Sequence, residues 1–265
     1  MTLLLVTADY RILVDASGTP VWLPLEAVEE ERYLEALMYV PLKDAPDDFD
    51  PHVPTEPSFP YVAVRATIDE QHYWAAQAGV RWETIRSHLN APHLAEPVAK
   101  LRFREEFRYH PTTGKPLRHG GGSAHSNGAR PLFPRIDPAV IGLVELAGQD
   151  KILLGKNRLR PDYFSLIAGY VGPGETLEDA WAREVLEETG RRIEEIQYWG
   201  SQPWPSSGSL MIAFRAVTSD EEASQATDGE LAEILWATRE DLASLPLAAP
   251  GSIARKLIDQ WWKER

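Results

Sequence analysis

Three carboxylates, Glu184, Glu187 and Glu188, lie within the eight residues REVLEETG at positions 183 to 190. On a helix Glu184 and Glu188 are spaced i,i+4, where like charges cost about 0.2–0.5 kcal/mol. The surrounding segment, ETLEDAWAREVLEETG, follows GPG, is rich in helix formers and stops at Gly190, a residue suited to a helix C-terminus. Counting 100° per residue, Leu177, Ala180 and Trp181 define one face, and Glu184 and Glu188 continue it within about 40° of its centre. Glu187 sits on its edge. A helix that buries this face ordinarily places leucine or valine at such positions, because an unpaired buried carboxylate is expensive. Two readings follow. Either this end of the helix emerges into solvent and pairs with arginines such as Arg183, or the carboxylates hold a hard divalent cation. Magnesium commonly takes one or two protein carboxylates and fills its other positions with waters and substrate phosphates, so the second reading points to phosphate chemistry. The preceding GYVGPGE supports it, since its glycines let backbone approach a ligand and turn sharply from strand into helix.

The elements that must position this helix are legible around it. DPAVIGLVEL and KILLGKN read as two strands about a Gly-Gln-Asp turn, followed by a strand in YFSLIAGYV, the acidic helix, and further strand and helix signals. A final helix from Ser252 carries Ile253, Leu257, Ile258, Trp261 and Trp262 in an apolar arrangement, with Ser252 as its cap. Packing accounts for that face, and the tryptophan pair also suits a dimer interface. Upstream, RILV and VWLPL flank DASGTP in the pattern of a β-hairpin with Gly18 in its turn, and MTLLLVTADYRILV supplies a first strand. YVAVRATI, residues 61 to 68, is another strand. LEAVEEERYLEALMYV reads as partly helical, and the acidic, proline-rich DAPDDFDPHVPTEPSFP as solvated loop. Helical spacing over residues 82 to 107 is broken near Pro92 and Pro97. The composition then changes to PTTGKPLRHGGGSAHSNGARP, the expected domain junction. The organisation is therefore an α+β chain with a smaller β-rich N-terminal domain over residues 1–106, a linker over 107–134, and a mixed sheet packed between helices over 135–265.

Composition narrows the function classes. At 265 residues the length favours two domains, and 43% apolar with 25% charged residues is ordinary for a globular protein. No apolar run approaches a membrane span, so no membrane partner is expected. The N-terminus lacks the basic stretch and cleavage site of a secretory leader, which leads to the expectation of a cytoplasmic protein. There is no cysteine, hence no disulfide and no thiolate metal site. A formal charge of −13 excludes a broad basic surface for nonspecific nucleic-acid binding. An anionic substrate needs a local exception, and Lys156, Arg158 and Arg160 in KNRLR are placed to give one, although solvated loop charge describes them equally well.

Taken together, Gly169, Glu175 after five intervening residues, Arg183-Glu184-Val185 after seven more, Glu187-Glu188 and Gly190 resemble the Nudix box of the Nudix hydrolases. The box ends on an apolar residue, here replaced by Arg191. SQPWPSSGSLMIAF, residues 201 to 214, is similar to the SQPWPFPxSLM segment of the NADH pyrophosphatase branch, with Ser206 and Ser207 in place of its Phe-Pro. FPRIDPAVI before the box, Glu230 six residues ahead of Trp236, and the terminal GSIARKLI extend the likeness over about half of the chain.

The resemblance implies a Nudix fold and hydrolysis of the pyrophosphate bond of NADH or NAD+ to NMNH or NMN plus AMP. It implies Mg2+ or Mn2+ held by Glu184, Glu188, Glu230 and the carbonyl of Ala168, with Glu187 a further carboxylate ligand. Glu187 and Glu188 are the two candidates for general base. Substrate positions carried over are Phe133, Gln202, Pro203, Trp204, Pro205, Ser206, Ser207, Gly208, Ser209 and Ala254. Phe133 stands where many relatives have a tyrosine, so stacking survives and a hydroxyl contact does not. The branch also implies a homodimer and a zinc ribbon between its domains. Counting back from FPRIDP, the ribbon cysteines fall near Arg108, Pro111, His125 and Gly128, and His110, His119 and His125 are scattered, so no structural zinc is expected. Removal of NAD caps from RNA lies within the branch's range, without support from this acidic chain. Two alternatives stand beside NAD(H) hydrolysis: a pyrophosphatase for ADP-ribose or a dinucleoside polyphosphate, and a noncatalytic nucleotide-binding module.

Overall fold

The apolar halves of MTLLLVTADYRILV form two antiparallel strands, β1 (Thr2–Val6) and β2 (Arg11–Asp15), with Val6 opposite Ile12. The computed structural model describes residues 2–24, 27, 61–91, 93–120 and 122–264. These fall into two units, one of residues 1–135 with 205–208, the other of 136–204 with 209–265. The helical reading of LEAVEEERYLEALMYV, Ala27 apart, and the acidic loop up to Pro60 lie outside the described residues. Among the described residues no helix is long and apolar enough to cross a membrane.

In the first unit, Asp15 accepts from the amides of Ser17 and Thr19 at 2.9 Å each, and Gly18 takes φ +83°, giving the expected turn. The chain leaving it makes only a bridge from Pro20 to Val14. It then crosses as β3 (Leu23–Pro24) to pair with β1. Proline at 20 and 24 has no N–H to extend a ladder along β2. β4 (Tyr61–Arg65) runs parallel to the whole of β1, and β5 (Val80–Thr84) is antiparallel to β2. Alternation along β1 sends Leu4 and Val6 to one face, against Val98 and Leu101, and Leu3 and Leu5 to the other, against Trp74 and Trp82. Helix α1 (Ile68–Ala75) starts on a capping box of Thr67 and Glu70. Helix α2 (Ala95–Glu106) contains Pro97 in its first turn, where the missing N–H costs no intrahelical bond. That proline therefore sits inside the start of a helix and does not break one.

Residues 107–134 of this unit form a short hairpin, β6 (Arg118–Gly120) and β7 (Ser123–His125), over a small core of Phe103, Leu117 and Ala124. Its three histidines have separate partners. His110 Nδ1 accepts from the Thr112 amide and its Nε2 bonds the Arg130 carbonyl, both at 3.2 Å. His119 Nε2 bonds the Phe107 carbonyl at 2.8 Å, and His125 Nε2 meets the Ser123 hydroxyl at 2.7 Å.

The second unit is a six-stranded mixed sheet in the order β11-β12-β8-β9-β13, with β10 paired to β8. Its strands are β8 (Asp137–Leu146), β9 (Lys151–Asn157), β10 (Ile167–Tyr170), β11 (Glu194–Trp204), β12 (Ser209–Thr218) and β13 (Leu231–Thr238). β12 runs parallel to β8 and the other pairings are antiparallel. One face packs on α3 (Leu177–Thr189) through Val140, Val144, Ala180, Trp181 and Val185. The other packs on α4 (Ile253–Lys263) through Ile141, Leu143, Leu257, Ile258 and Trp261. Gly142 leaves the recess for Trp181: a Cβ there would lie 2.0 Å from the indole. This is the expected sheet between helices, fixed by a glycine under the helix that carries the carboxylates.

Candidate active site

Helix α3 begins at Thr176, whose hydroxyl accepts from the Asp179 amide at 3.1 Å, and ends at Gly190 with φ +70°. Its buried residues are Ala180, Trp181, Val185, Glu188 and Thr189. The carboxylate predicted to continue the apolar face does so: Glu188 is 3% exposed, about one turn beyond Val185 and two beyond Trp181. Glu184 is half-buried and lies against β10, where Gly169 makes room for it. A Cβ on Gly169 would fall 1.9 Å from the Glu184 carboxyl carbon. That contact explains the glycine at the head of the motif and puts Glu184 beside the strand that contains Ala168.

Arg183 orders the exposed side of the turn. Its guanidinium donates to Glu175 (2.6 and 3.0 Å), Glu184 (2.9 Å), Glu187 (2.8 Å) and the Tyr170 carbonyl (3.1 Å). Glu175 also accepts from the Gly172 amide at 2.7 Å, closing the glycine loop onto the helix. Arg183 holds the Glu175 carboxyl below its usual range. Glu184 is shifted the other way, upward by burial, with Arg183 opposing the shift. The Glu188 carboxyl is pushed to about 8, first by burial and then by the charges of Glu230, Glu184, Asp228 and Glu187. Among the described residues no hydrogen bond or ion pair reaches it.

Glu230 arrives from the loop before β13. It accepts from Asn157 Nδ2 at 2.9 Å, while its amide donates to Asp228 at 2.9 Å and its carbonyl accepts from the Arg158 amide at 3.1 Å. Asp228 and Asn157 are site residues the sequence reading missed. The first stands two positions before Glu230, and the second ends a strand opposite Leu231, a pairing visible only in the register of β9 and β13. Lys156 is ion-paired with Glu233 at 2.8 Å and lies over the Phe164 ring.

Among the described residues no three carboxylate or imidazole groups converge closely enough to hold a metal as they stand. Arg183 and Asn157 draw Glu184, Glu187 and Glu230 towards their own donors. The donor set nevertheless fits a hard divalent cation. It is made of oxygens, includes the nearly buried Glu188 without a donor, and is cradled over a glycine that a Cβ would fill.

The specificity stretch is divided. Gln202 is buried, and its amide is committed within the unit: Nε2 donates to the Gly251 carbonyl at 2.9 Å, and Oε1 accepts from the Ile253 amide at 2.8 Å and the Trp204 indole at 3.2 Å. Ala254 is part of the core against the sheet. Ser209 is buried with its hydroxyl 3.0 Å from the Tyr170 phenol, and Pro203 is exposed. Tyr170, directly after Gly169, presents an exposed ring beside this hydroxyl. It too escaped the sequence reading, because an aromatic between two motif glycines looks like loop packing. Pro205, Ser206, Ser207 and Gly208 make the four-residue connection after Trp204, with Gly208 at φ +77°, and count with the first unit. Phe133, also in the first unit, is 71% exposed.

Residues 136–260 match the NUDIX domain family. The chain is 40% identical over 203 residues to the NAD-capped RNA hydrolase NudC of Vibrio vulnificus (strain CMCP6), covering 71% of this chain and 75% of that protein. It is 37% identical over 195 residues to the protein of the same name from Mycobacterium tuberculosis (strain ATCC 25618 / H37Rv), covering 67% of this chain and 62% of that one. The match to the Deinococcus radiodurans protein of that name is 39% over 169 residues, covering 61% and 59%. The chain thus spans about three-fifths of the length of the mycobacterial and Deinococcus relatives. A crystal structure of a NUDIX hydrolase from Nitrosomonas europaea aligns with a TM-score of 0.48 at 21% identity, covering 60% of this chain and 92% of that one.

Proposed function

The chain belongs to the Nudix family, and on that premise we propose that it is a hydrolase dependent on Mg2+ or Mn2+ that splits the pyrophosphate bond of NADH or NAD+, releasing NMNH or NMN and AMP. Glu188 carries the reading. A carboxyl on a nearly buried residue, without a donor among the described residues and surrounded by Glu230, Glu184, Asp228 and Glu187, is destabilised when ionised and is relieved by a cation.

Glu184, Glu188, Glu230 and the Ala168 carbonyl are assigned to hold the cation, with Glu187 a further ligand candidate. A divalent cation bound there supplies charge to offset the diphosphate and acidity to activate water. The chain's own residues do the rest. Arg183 holds Glu184 and Glu187 through its hydrogen bonds, and these carboxylates must turn from it in part for a cation to gather them. Glu187, half exposed at the edge of the turn, is the better placed of the two base candidates to accept a proton from the attacking water, because burial suits Glu188 to ligation. Trp204, Tyr170 and Phe133 are proposed to stack on substrate rings, with Phe133 resting on resemblance alone. Gln202 and Ala254 act as supports. On the same resemblance the protein works as a cytoplasmic homodimer.

Incubation with NADH, NAD+, ADP-ribose, a diadenosine polyphosphate and an NAD-capped oligoribonucleotide, with and without Mg2+ or Mn2+, followed by product identification, tests the proposal. Metal-dependent release of NMNH and AMP is the expected result. Turnover of ADP-ribose or the diadenosine compound with NADH untouched favours the second reading, whose basis is Ser206-Ser207 in place of Phe-Pro. No metal-dependent turnover of any nucleotide sinks both and leaves the binding module.

A further inference from the structure

Position 191 closes the Nudix box, and an apolar residue is the pattern there; this chain has a buried arginine. Each nitrogen of its guanidinium donates a hydrogen bond. Nη1 donates to the Thr189 carbonyl at 2.7 Å, at the end of α3, and Nη2 and Nε donate to the Glu221 carbonyl at 2.8 and 3.3 Å. The Trp236 indole also donates to that carbonyl, at 2.9 Å, and the guanidinium carbon lies 5.5 Å from the centroid of the same ring. One loop carbonyl is thus held by three N–H groups from two side chains, one on each side of the loop in sequence.

The loop held this way leads to Glu230. Along its length it is fastened to the C-terminal end of α3 and the residues after it: the Asp220 carboxylate accepts from the Arg192 amide, Ser224 donates its amide and hydroxyl to the Gly190 carbonyl, and the Asp228 amide donates to the Glu187 carbonyl. Gly190 permits the approach, since a Cβ there would meet the Gln225 carbonyl oxygen at 2.5 Å. These bonds run beside the turn that bears Glu187 and Glu188, and the loop ends two residues after Asp228 at the one assigned ligand that α3 and β10 do not supply. An apolar residue at 191 could fill the volume but could not bind the Glu221 carbonyl, leaving that acceptor with only the indole.

We infer that Arg191 is a positioning residue: it clamps residues 219–230 onto the end of α3 and thereby sets Glu230 against Glu184 and Glu188. The clamp itself is independent of the activity, while its link to metal affinity rests on the function proposed above. Outer-sphere partners of metal ligands typically change affinity about ten- to a hundredfold when removed, and this clamp belongs in that range.

Hydrogen exchange on the metal-free protein reads the clamp directly. In Arg191→Leu the amides of Ser224 and Asp228 exchange faster, while amides in β8 and β12 keep their parent rates. Trp236→Phe, which retains the ring volume and removes one donor, gives a smaller change of the same kind and serves if Arg191→Leu does not fold. Unchanged exchange at Ser224 and Asp228 overturns the clamp, even in an active hydrolase. Titration with Mn2+, followed by the electron paramagnetic resonance of the free ion, reads the second half. Arg191→Leu weakens binding about ten- to a hundredfold, and in a Glu230→Gln background the same substitution changes it less than about threefold. An equal loss in both backgrounds refutes action through Glu230. If the parent protein binds no Mn2+, the proposed function fails and the metal half of the inference fails with it, whereas the exchange result stands by itself.

Discussion

Glu188 in the second unit and His119 in the first are both nearly sealed from water, at 3% and 4% exposure, and burial drives both towards the neutral form, to about 8 and about 4. Their surroundings differ in kind. His119 Nε2 meets the Phe107 carbonyl at 2.8 Å and the ring sits edge-on to Phe103 at 5.0 Å, within a small apolar core. The charge nearest it in effect, Arg104, is of the sign that keeps it neutral. Glu188 faces Glu230, Glu184, Asp228 and Glu187 and receives no donor. A displaced pKa is therefore no mark of a site by itself. What separates the two is the charge around them: an apolar core with one arginine in reach for His119, four carboxylates that a cation would relieve for Glu188.

Exchanging the demand for a neutral amide breaks the comparison most severely. Glu188→Gln is expected to lower metal-dependent turnover at least about a hundredfold, since even outer-sphere partners reach that range. Steady-state assays at saturating Mn2+ check it, and a variant retaining the parent kcat removes Glu188 from the ligand set.

The two groups should also leave opposite signatures in stability against pH, measured by denaturant unfolding in EDTA. Glu188 has its folded pKa raised from 4.5 to about 8, so its protonated form is the one the fold tolerates. Its unit is at full stability below about pH 4.5 and loses stability as pH rises towards 8, by a few kcal/mol at most. His119 has its folded pKa lowered from 6.5 to about 4, so its contribution is present above pH 6.5 and is lost as pH falls towards 4. Glu188→Gln removes the alkaline limb alone, and His119→Gln, which keeps a donor for the Phe107 carbonyl, removes the acid limb alone. One variant flattening both limbs would mean that the groups are not acting separately.

A smaller effect sharpens the distinction between scaffold and site within the second unit. Gly142→Ala drives a Cβ into Trp181 and should cost about 1–3 kcal/mol in folding, with metal affinity little altered once folded. Gly169→Ala drives a Cβ into the far end of Glu184, which can swing away. It should therefore weaken Mn2+ binding more than it lowers the melting temperature. Parallel calorimetry and metal titration of the pair separate the outcomes, and equal losses in both assays for both variants defeat the argument.

The helix was legible because its information is local: a 100° count puts Glu188 on the buried face, and Thr176, Gly190 and Ser252 cap as their types require. The same count overstated Glu184, which Gly169 accommodates at the edge of the core while Val185 fills the centre. Pairings across long separations were not readable. Nothing near residues 61–65 says that they run parallel to β1, and nothing near Leu23 says that it leaves β2 for β1. Gln202 and Arg191 show one limit of local reading. A polar residue at a motif position suggests ligand contact or a packing defect, whereas both amide and guanidinium are directed inward onto backbone groups that only the tertiary fold brings within reach.

Gln202 has a consequence for selectivity. Its carbonyl oxygen is the acceptor for Ile253 N–H at the start of α4, and its amino group holds the Gly251 carbonyl just ahead of that helix. A nucleotide that displaced either bond would orphan a backbone group. Recognition beside this residue is then by shape and stacking more than by reading an edge, and pockets of that kind discriminate weakly between molecules that differ by one hydroxyl or one methylene. On the function proposed above, the protein is expected to be a tolerant reader of what lies beyond the diphosphate and a strict one of the diphosphate itself.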